Sequence, residues 1–169
     1  MLFYDEAFFR RESTVTRGWF PKGLKAKVAC PATFDKVGVC GAVSPRTGTL
    51  YSLIFDGFDS DTFIFFLSWL LGKAVTDKKI VMILDNATSH KSTKVKDFVA
   101  QHSSSLMLVY LPPYSPDLNP IERVWKDLRY QVTHNVYFET WQDLENAIVG
   151  YLKKWVEPNR KMASLCFIN

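Results

Sequence analysis

Three acidic residues stand where the character of the sequence changes, each in a position from which a carboxylate can serve phosphoryl chemistry. Asp5 follows the apolar opening of the chain, residues 1–4, and Asp85 follows the β-branched apolar run 80–84. Glu122 lies in the first turn of a strong helical signature that begins at Asn119. Oxygen ligands of this kind suit Mg²⁺ or Mn²⁺, which prefer carboxylates and water to thiolates. Two such ions a few ångströms apart activate a water or a sugar hydroxyl and stabilise the leaving oxygen at phosphorus. Two of the acids also have a structural reading. Asp85 can form a turn with its own backbone. Glu122, with Asn119 as N-cap and Pro120 as the first helical residue, can close a capping box or pair with Lys126.

The chemistry requires elements that bring these acids together. A first strand is expected over residues 1–4, so that Asp5 ends it. Residues 37–43 and 49–55 read as two more strands, joined by a Pro- and Gly-bearing loop over 44–48. A short buried strand is expected over 79–84, closed by Asp85 and Asn86, and another over 106–111, stopped by Pro112 and Pro113. Helical spacing of Phe63, Phe66, Leu67 and Leu70 predicts a helix over 60–73. Further helices are expected over 90–100, over 119–132 with Ile121, Val124, Trp125, Leu128 and Val132 on one stripe, and over 140–155. Residues 10–27, basic and polar around Trp19, suit an exposed connection. This order describes one α/β domain over residues 1–169: a central mixed five-stranded sheet flanked by helices, antiparallel at the front and parallel behind. If the strands of Asp5 and Asp85 are neighbours, their carboxylates converge at one sheet edge, where sites in open α/β sheets lie.

The net charge of +4 is compatible with a nucleic-acid partner and is shared by many ordinary domains. Cys30, Cys40 and Cys166 lack the close pairing of a zinc site and read as buried or indifferent thiols. Asp5 and Glu6 interrupt the apolar opening and no small-residue cleavage region follows, so it is a poor signal peptide. The apolar run 63–71 falls short of the ~18 residues that span a bilayer. A soluble cytoplasmic protein is the expectation.

At Asp85-Asn86-Ala87-Thr88-Ser89-His90, and again from Leu111-Pro112-Pro113-Tyr114-Ser115-Pro116-Asp117 through Leu118-Asn119-Pro120-Ile121-Glu122-Arg123-Val124-Trp125, the chain resembles a known family. It is similar to the DDE endonuclease domain of bacterial insertion-sequence transposases related to mariner elements. The second motif is long and highly specific. Tyr4-Asp5-Glu6, Arg17-Gly18-Trp19 and Pro21-Lys22-Gly23 look like the first catalytic segment of that family, and the likeness covers nearly the whole chain. The resemblance implies a ribonuclease H-like fold and cut-and-paste transposition. It makes Asp5, Asp85 and Glu122 the acids that bind Mg²⁺, with Mn²⁺ substituting and two ions expected in the DNA complex. The implied chemistry is strand cleavage at transposon ends and attack of the liberated 3′ hydroxyl on target DNA. Double-stranded DNA is the implied partner, with a homodimer or higher assembly pairing the ends, in the bacterial cytoplasm and at the nucleoid when bound.

Other residues take supporting roles in this reading. Glu6 adjoins the first acid and tunes the site rather than acting as a ligand. His90, in the family's recurrent Asp-Asn-x-x-x-His pattern, hydrogen-bonds near the metals or the scissile phosphate, with capping or packing as the alternative. Asn86 orients Asp85 or contacts substrate, while Tyr114 and Asn119 shape the loop that positions Glu122. DNA-contact candidates are Arg10, Arg11, Arg17, Trp19, Lys22 and Lys25 near the amino terminus, Lys91 and Lys94 after His90, and Arg123 and Lys126 on the last catalytic helix. Related full-length transposases carry helix-turn-helix modules ahead of the catalytic domain, whereas no recognition helix precedes Asp5 here. A separate end-recognition polypeptide is therefore an expected partner. Two other readings stay open: a catalytically silent or domesticated DNA-binding remnant, and another ribonuclease H-like nuclease such as a cleaver of RNA–DNA hybrids. The presence of all three acids weighs against the first, and the proline-rich segment before Glu122 against the second.

Overall fold

Alternating burial along the first strand sets the plan of the molecule, whose computed structural model describes residues 1–12, 16–17, 19, 21–23, 27, 29, 33–73, 78–113 and 115–167. β1 (Leu2–Arg10) sends Phe3, Ala7 and Phe9 to one side of the sheet and Leu2 and Tyr4 to the other. It lies at the centre of a five-stranded sheet with β2 (Lys36–Val43), β3 (Leu50–Phe55), β4 (Ile80–Leu84) and β5 (Leu106–Tyr110), in the order β3-β2-β1-β4-β5. β1 to β3 are antiparallel, and β4 and β5 join in parallel through helical crossovers, as the element order leads one to expect.

One face is covered by α1 (Ser60–Lys73) and α2 (Thr93–Gln101), whose Phe63, Phe66, Leu67, Leu70 and Val95 pack on Leu2, Tyr4, Met82 and Leu84. The other face is covered by α3 (Ile121–Leu128), α4 (Trp141–Leu152) and α5 (Arg160–Leu165), over Phe3, Phe9, Val37 and Val39. Burying each such large apolar side chain contributes about 1.5–3 kcal/mol, so both helical layers are held by the same two-sided sheet. Asp59 starts α1 by accepting from the Asp61 and Thr62 amides at 3.0 and 2.8 Å, and Thr140 and Asp143 form a capping box on α4.

Four expectations are corrected. β1 runs on to Arg10 instead of ending at Asp5, because it pairs with β2 from Phe3↔Val43 to Arg10↔Lys36. The two acids mark the end of its pairing with β4, which covers only Leu2↔Met82 and Phe3↔Ile83. His90 belongs to a separate 3₁₀ turn, Thr88–Lys91, since the Ser92 hydroxyl accepts from the Val95 amide and starts α2 after it. The long helix expected over 119–132 is α3 followed by a wider π turn over Arg129–Thr133. α4 stops at Leu152 before a 3₁₀ turn, and α5, capped by Asn159, is an addition. Gly48, at φ 70°, meets α5 so closely that an added Cβ would lie 1.9 Å from the Asn159 carbonyl oxygen.

Cys40 and Cys166 are buried free thiols, while Cys30, Gly18, Lys25 and Tyr114 lie outside the described residues. No helix among the described residues is long and apolar enough to cross a membrane.

Candidate active site

Asp5 and Glu6 are neighbours in β1 and therefore point to opposite faces of the sheet. Asp5 turns toward α3, where its Oδ2 accepts a hydrogen bond from the Trp125 indole at 3.1 Å. That indole fits because residue 41, opposite Asp5 in β2, is glycine: a Cβ there would sit 2.8 Å from the Trp125 ring. Burial, and then the charge of Glu122 across the cavity, pushes the Asp5 carboxyl up from the usual carboxylate range to about 7. The Glu6 amide and the Trp125 indole pull the other way and do not prevail.

Glu6 faces the α1 layer, where its Oε1 accepts from the Tyr4 hydroxyl at 2.9 Å and lies 3.0 Å from His90 Nε2. His90 Nδ1 lies 2.9 Å from Asp85 Oδ1. The imidazole is thus held between two carboxylates, 1% exposed and packed on the rings of Phe63 and Tyr4. Burial lowers its affinity for a proton, but the hydrogen bond and charge of Glu6, followed by those of Asp85, outweigh burial and raise its pKa. Asp85 itself is half exposed beyond the end of β4. Its Oδ1 also accepts from the Ala87 amide at 3.0 Å, so one oxygen makes the turn that sequence grammar allows while Oδ2 has no partner among the described residues. Asn86 donates to the Leu111 carbonyl and accepts from Lys91, which ties the segment after β4 to the segment after β5.

Asn119 brings the third acid into place. Its side-chain amide donates to the Tyr4 carbonyl at 2.9 Å, and its Oδ1 accepts from the Ile121 amide at 3.4 Å. The start of α3 is thereby fixed beside the backbone of Asp5. The capping box available to Glu122 does not form, because the Asn119 amide instead donates to the Pro116 carbonyl at 2.8 Å. Nor does Glu122 pair with Lys126, and among the described residues its carboxylate has no hydrogen-bond or ion-pair partner.

Asp5, Asp85 and Glu122 line one cavity of about 390 Å³, walled on the remaining sides by the segment that includes Pro112, Pro113 and Pro116. Among the described residues no lysine or arginine pairs with any of the three. No three His, Cys, Asp or Glu side chains there stand close enough to form a coordination sphere unaided. Three carboxylates around an open space, one with its proton affinity raised by burial and the like charge of Glu122, fit a hard divalent ion that keeps part of its water shell.

The basic candidates separate into held and open groups. Arg11 is mostly buried, with Nε 3.3 Å from Asp35 and an η nitrogen donating to the Glu139 carbonyl at 3.0 Å. These contacts anchor the end of β1. Arg123 donates to the Leu165 and Phe167 carbonyls, Lys94 pairs with Asp61 at 2.9 Å, and Lys91 lies over the Tyr110 ring. Arg10, Arg17, Trp19 and Lys22 are exposed. Arg123, Lys126 and Arg129 line a groove of about 530 Å³ on the outer flank of Glu122. Sequence reasoning missed Trp125 as the partner of Asp5, reading it only as a core residue. Gly41, one of two glycines inside β2, was the available signal.

The model of the DDE superfamily endonuclease family matches residues 1–145. An uncharacterized protein of insertion element IS630 from Shigella sonnei is 28% identical over 159 residues, 93% of this chain and 46% of that protein. An uncharacterized protein of Sinorhizobium fredii is 31% identical over 128 residues, 75% of this chain and 90% of its own length. The fold is similar to the mariner Mos1 paired-end complex with Mg, at a TM-score of 0.69 and 17% identity, over 98% of this chain and 52% of that one. The ribonuclease H-like arrangement is therefore present, and the chain spans about half the length of the insertion-element and Mos1 proteins it matches.

Proposed function

The chain belongs to the DDE superfamily of endonucleases, and from that premise we propose that it is the catalytic domain of an insertion-sequence transposase that cuts transposon ends and joins their 3′ hydroxyls to target DNA. The observation that carries this reading is the cavity shared by Asp5, Asp85 and Glu122, which come from β1, the end of β4 and the start of α3. These three would hold Mg²⁺ or Mn²⁺, two ions in the DNA complex, which when bound activate the attacking water or hydroxyl and neutralise the leaving oxygen. The protein's own part is to orient the acids. Trp125 holds Asp5, His90 holds Asp85, and Asn119 fixes the turn that carries Glu122.

The groove lined by Arg123, Lys126 and Arg129 runs beside Glu122 and supports a path for a phosphate backbone toward the acids. Arg10, Arg17, Trp19 and Lys22 offer a second, exposed contact region. Mos1 has been seen with transposon ends in paired-end assemblies. By that analogy the partners are double-stranded DNA and a second copy of this chain, and the bacterial sources of its relatives support a setting in the bacterial cytoplasm.

The test is nicking of supercoiled plasmid in Mn²⁺ or Mg²⁺ by the wild-type chain and by Asp85→Ala and Glu122→Ala. Metal-dependent nicking lost in both variants supports the assignment, and nicking retained in either overturns it. Folded wild-type protein that stays inactive with an end-recognition module supplied would instead support the silent-remnant reading. Cleavage confined to RNA–DNA hybrids would support a different ribonuclease H-like nuclease.

A further inference from the structure

Resting on that reading of the acids, we infer that Glu6 is a positioning residue which, through His90, fixes the Asp85 carboxylate so that Oδ1 is occupied and Oδ2 is left for the cation. The chain of contacts is continuous: Tyr4 hydroxyl to Glu6 Oε1 at 2.9 Å, Glu6 Oε1 to His90 Nε2 at 3.0 Å, and His90 Nδ1 to Asp85 Oδ1 at 2.9 Å. His90 is thus gripped at both ring nitrogens, by Glu6 Oε1 on one side and by Asp85 Oδ1 on the other. Its ring is locked by Phe63 and Tyr4, and its backbone by the Tyr110 hydroxyl on the His90 carbonyl at 2.8 Å and the Ser60 hydroxyl on the Ser89 carbonyl at 2.9 Å.

Packing does not require this arrangement. A buried polar side chain carries a desolvation penalty that an apolar residue of the same size avoids. What the bridge supplies is direction. With the His90 ring and the Ala87 amide both on Oδ1, the exposed carboxylate of Asp85 loses its freedom to rotate about its last bond. A partner of this kind acts on a ligand from behind, and its loss typically weakens metal binding about 10- to 100-fold.

The experiment is a Mn²⁺ titration followed by the electron paramagnetic resonance signal of the free ion, in parallel with the Mn²⁺ dependence of plasmid nicking. It compares the wild-type chain with Glu6→Ala, Glu6→Gln and Asp85→Ala. Glu6→Ala is expected to raise the half-saturating Mn²⁺ concentration about tenfold or more in both readouts. Glu6→Gln keeps an acceptor oxygen without the charge and should fall between it and wild type, which also covers an Ala variant that fails to fold. Binding that Asp85→Ala abolishes but the folded Glu6 variants leave unchanged would overturn this inference alone. A wild-type chain that neither binds Mn²⁺ nor nicks DNA would remove the cation site, and the inference with it.

Discussion

Asp5 and Asp85 face the same cavity from adjoining strands, yet their surroundings are opposed. Asp5 is desolvated against α3, with a single indole donor and the like charge of Glu122 nearby, and its carboxyl is pushed up to about 7. Asp85 stands half exposed on the other side, its charge met by His90 and one of its oxygens tied down. One carboxylate is held by its walls and lacks a counter-charge, while the other is solvated and held by direction. A cation entering between them relieves the first and is aimed by the second, so the two should fail differently when altered.

Exchanging each acid for its amide gives the sharpest contrast. Asp5→Asn and Asp85→Asn should both lower Mn²⁺-dependent nicking by more than about a hundredfold, beyond what removal of an outer partner causes. Only Asp5→Asn should also stabilise the metal-free protein near neutral pH, by an amount on the order of 1 kcal/mol, seen as about 2–4 °C in Tm. Equal Tm changes in the two variants would erase the distinction. Trp125→Phe keeps the ring and removes the donor to Asp5, and a loss of about tenfold in nicking is expected. An unaltered rate would make the indole a packing group only.

The pH dependence follows from the raised carboxyl. A group with a folded pKa above its unfolded value contributes stability in full below the latter, 3.8 for Asp5, and loses it as pH rises through about 7. Metal-free protein should therefore weaken across that window. The rise in Tm produced by Mn²⁺ should be larger above pH ~8 than below pH ~5. An increment independent of pH would detach Asp5 from the cation. Gly41→Ala presses on Trp125 and should destabilise by about 1–3 kcal/mol while leaving the His90 side intact, measured by denaturant unfolding. Outside both walls, Lys126→Ala should reduce the salt dependence of DNA binding by about one counter-ion without affecting the Mn²⁺ titration.

Asp5 and Asp85 stood out in the sequence because each adjoins a strong local signal, an apolar opening and a β-branched run, whereas Glu122 read as readily as a helix cap and was singled out by the resemblance of the motif around it. The strand directions were legible from short connections early and helices later. The extent of β1 was not, since a pair of acids inside a strand looks like its end until the neighbour that abandons pairing is known. The partners of the acids were equally hidden. Trp125 occupies a regular core position in α3, and nothing in its spacing distinguishes a buried indole that only packs from one that donates to Asp5. Arg11 looked like one more exposed cation in a basic stretch, because Asp35 and Glu139 approach it only through the fold. α5 is too short for periodicity to mark, and its visible signal is the single cap at Asn159.

The short pairing between β1 and β4 has a consequence for the whole molecule. Among the described residues the two strands meet only at Leu2↔Met82 and Phe3↔Ile83, while β1 runs along β2 as far as Arg10. Asp5 and Asp85 therefore stand just past the point where backbone pairing between their strands ends. The imidazole held between Glu6 and Asp85 spans that gap, a side-chain rung where the backbone ladder has stopped.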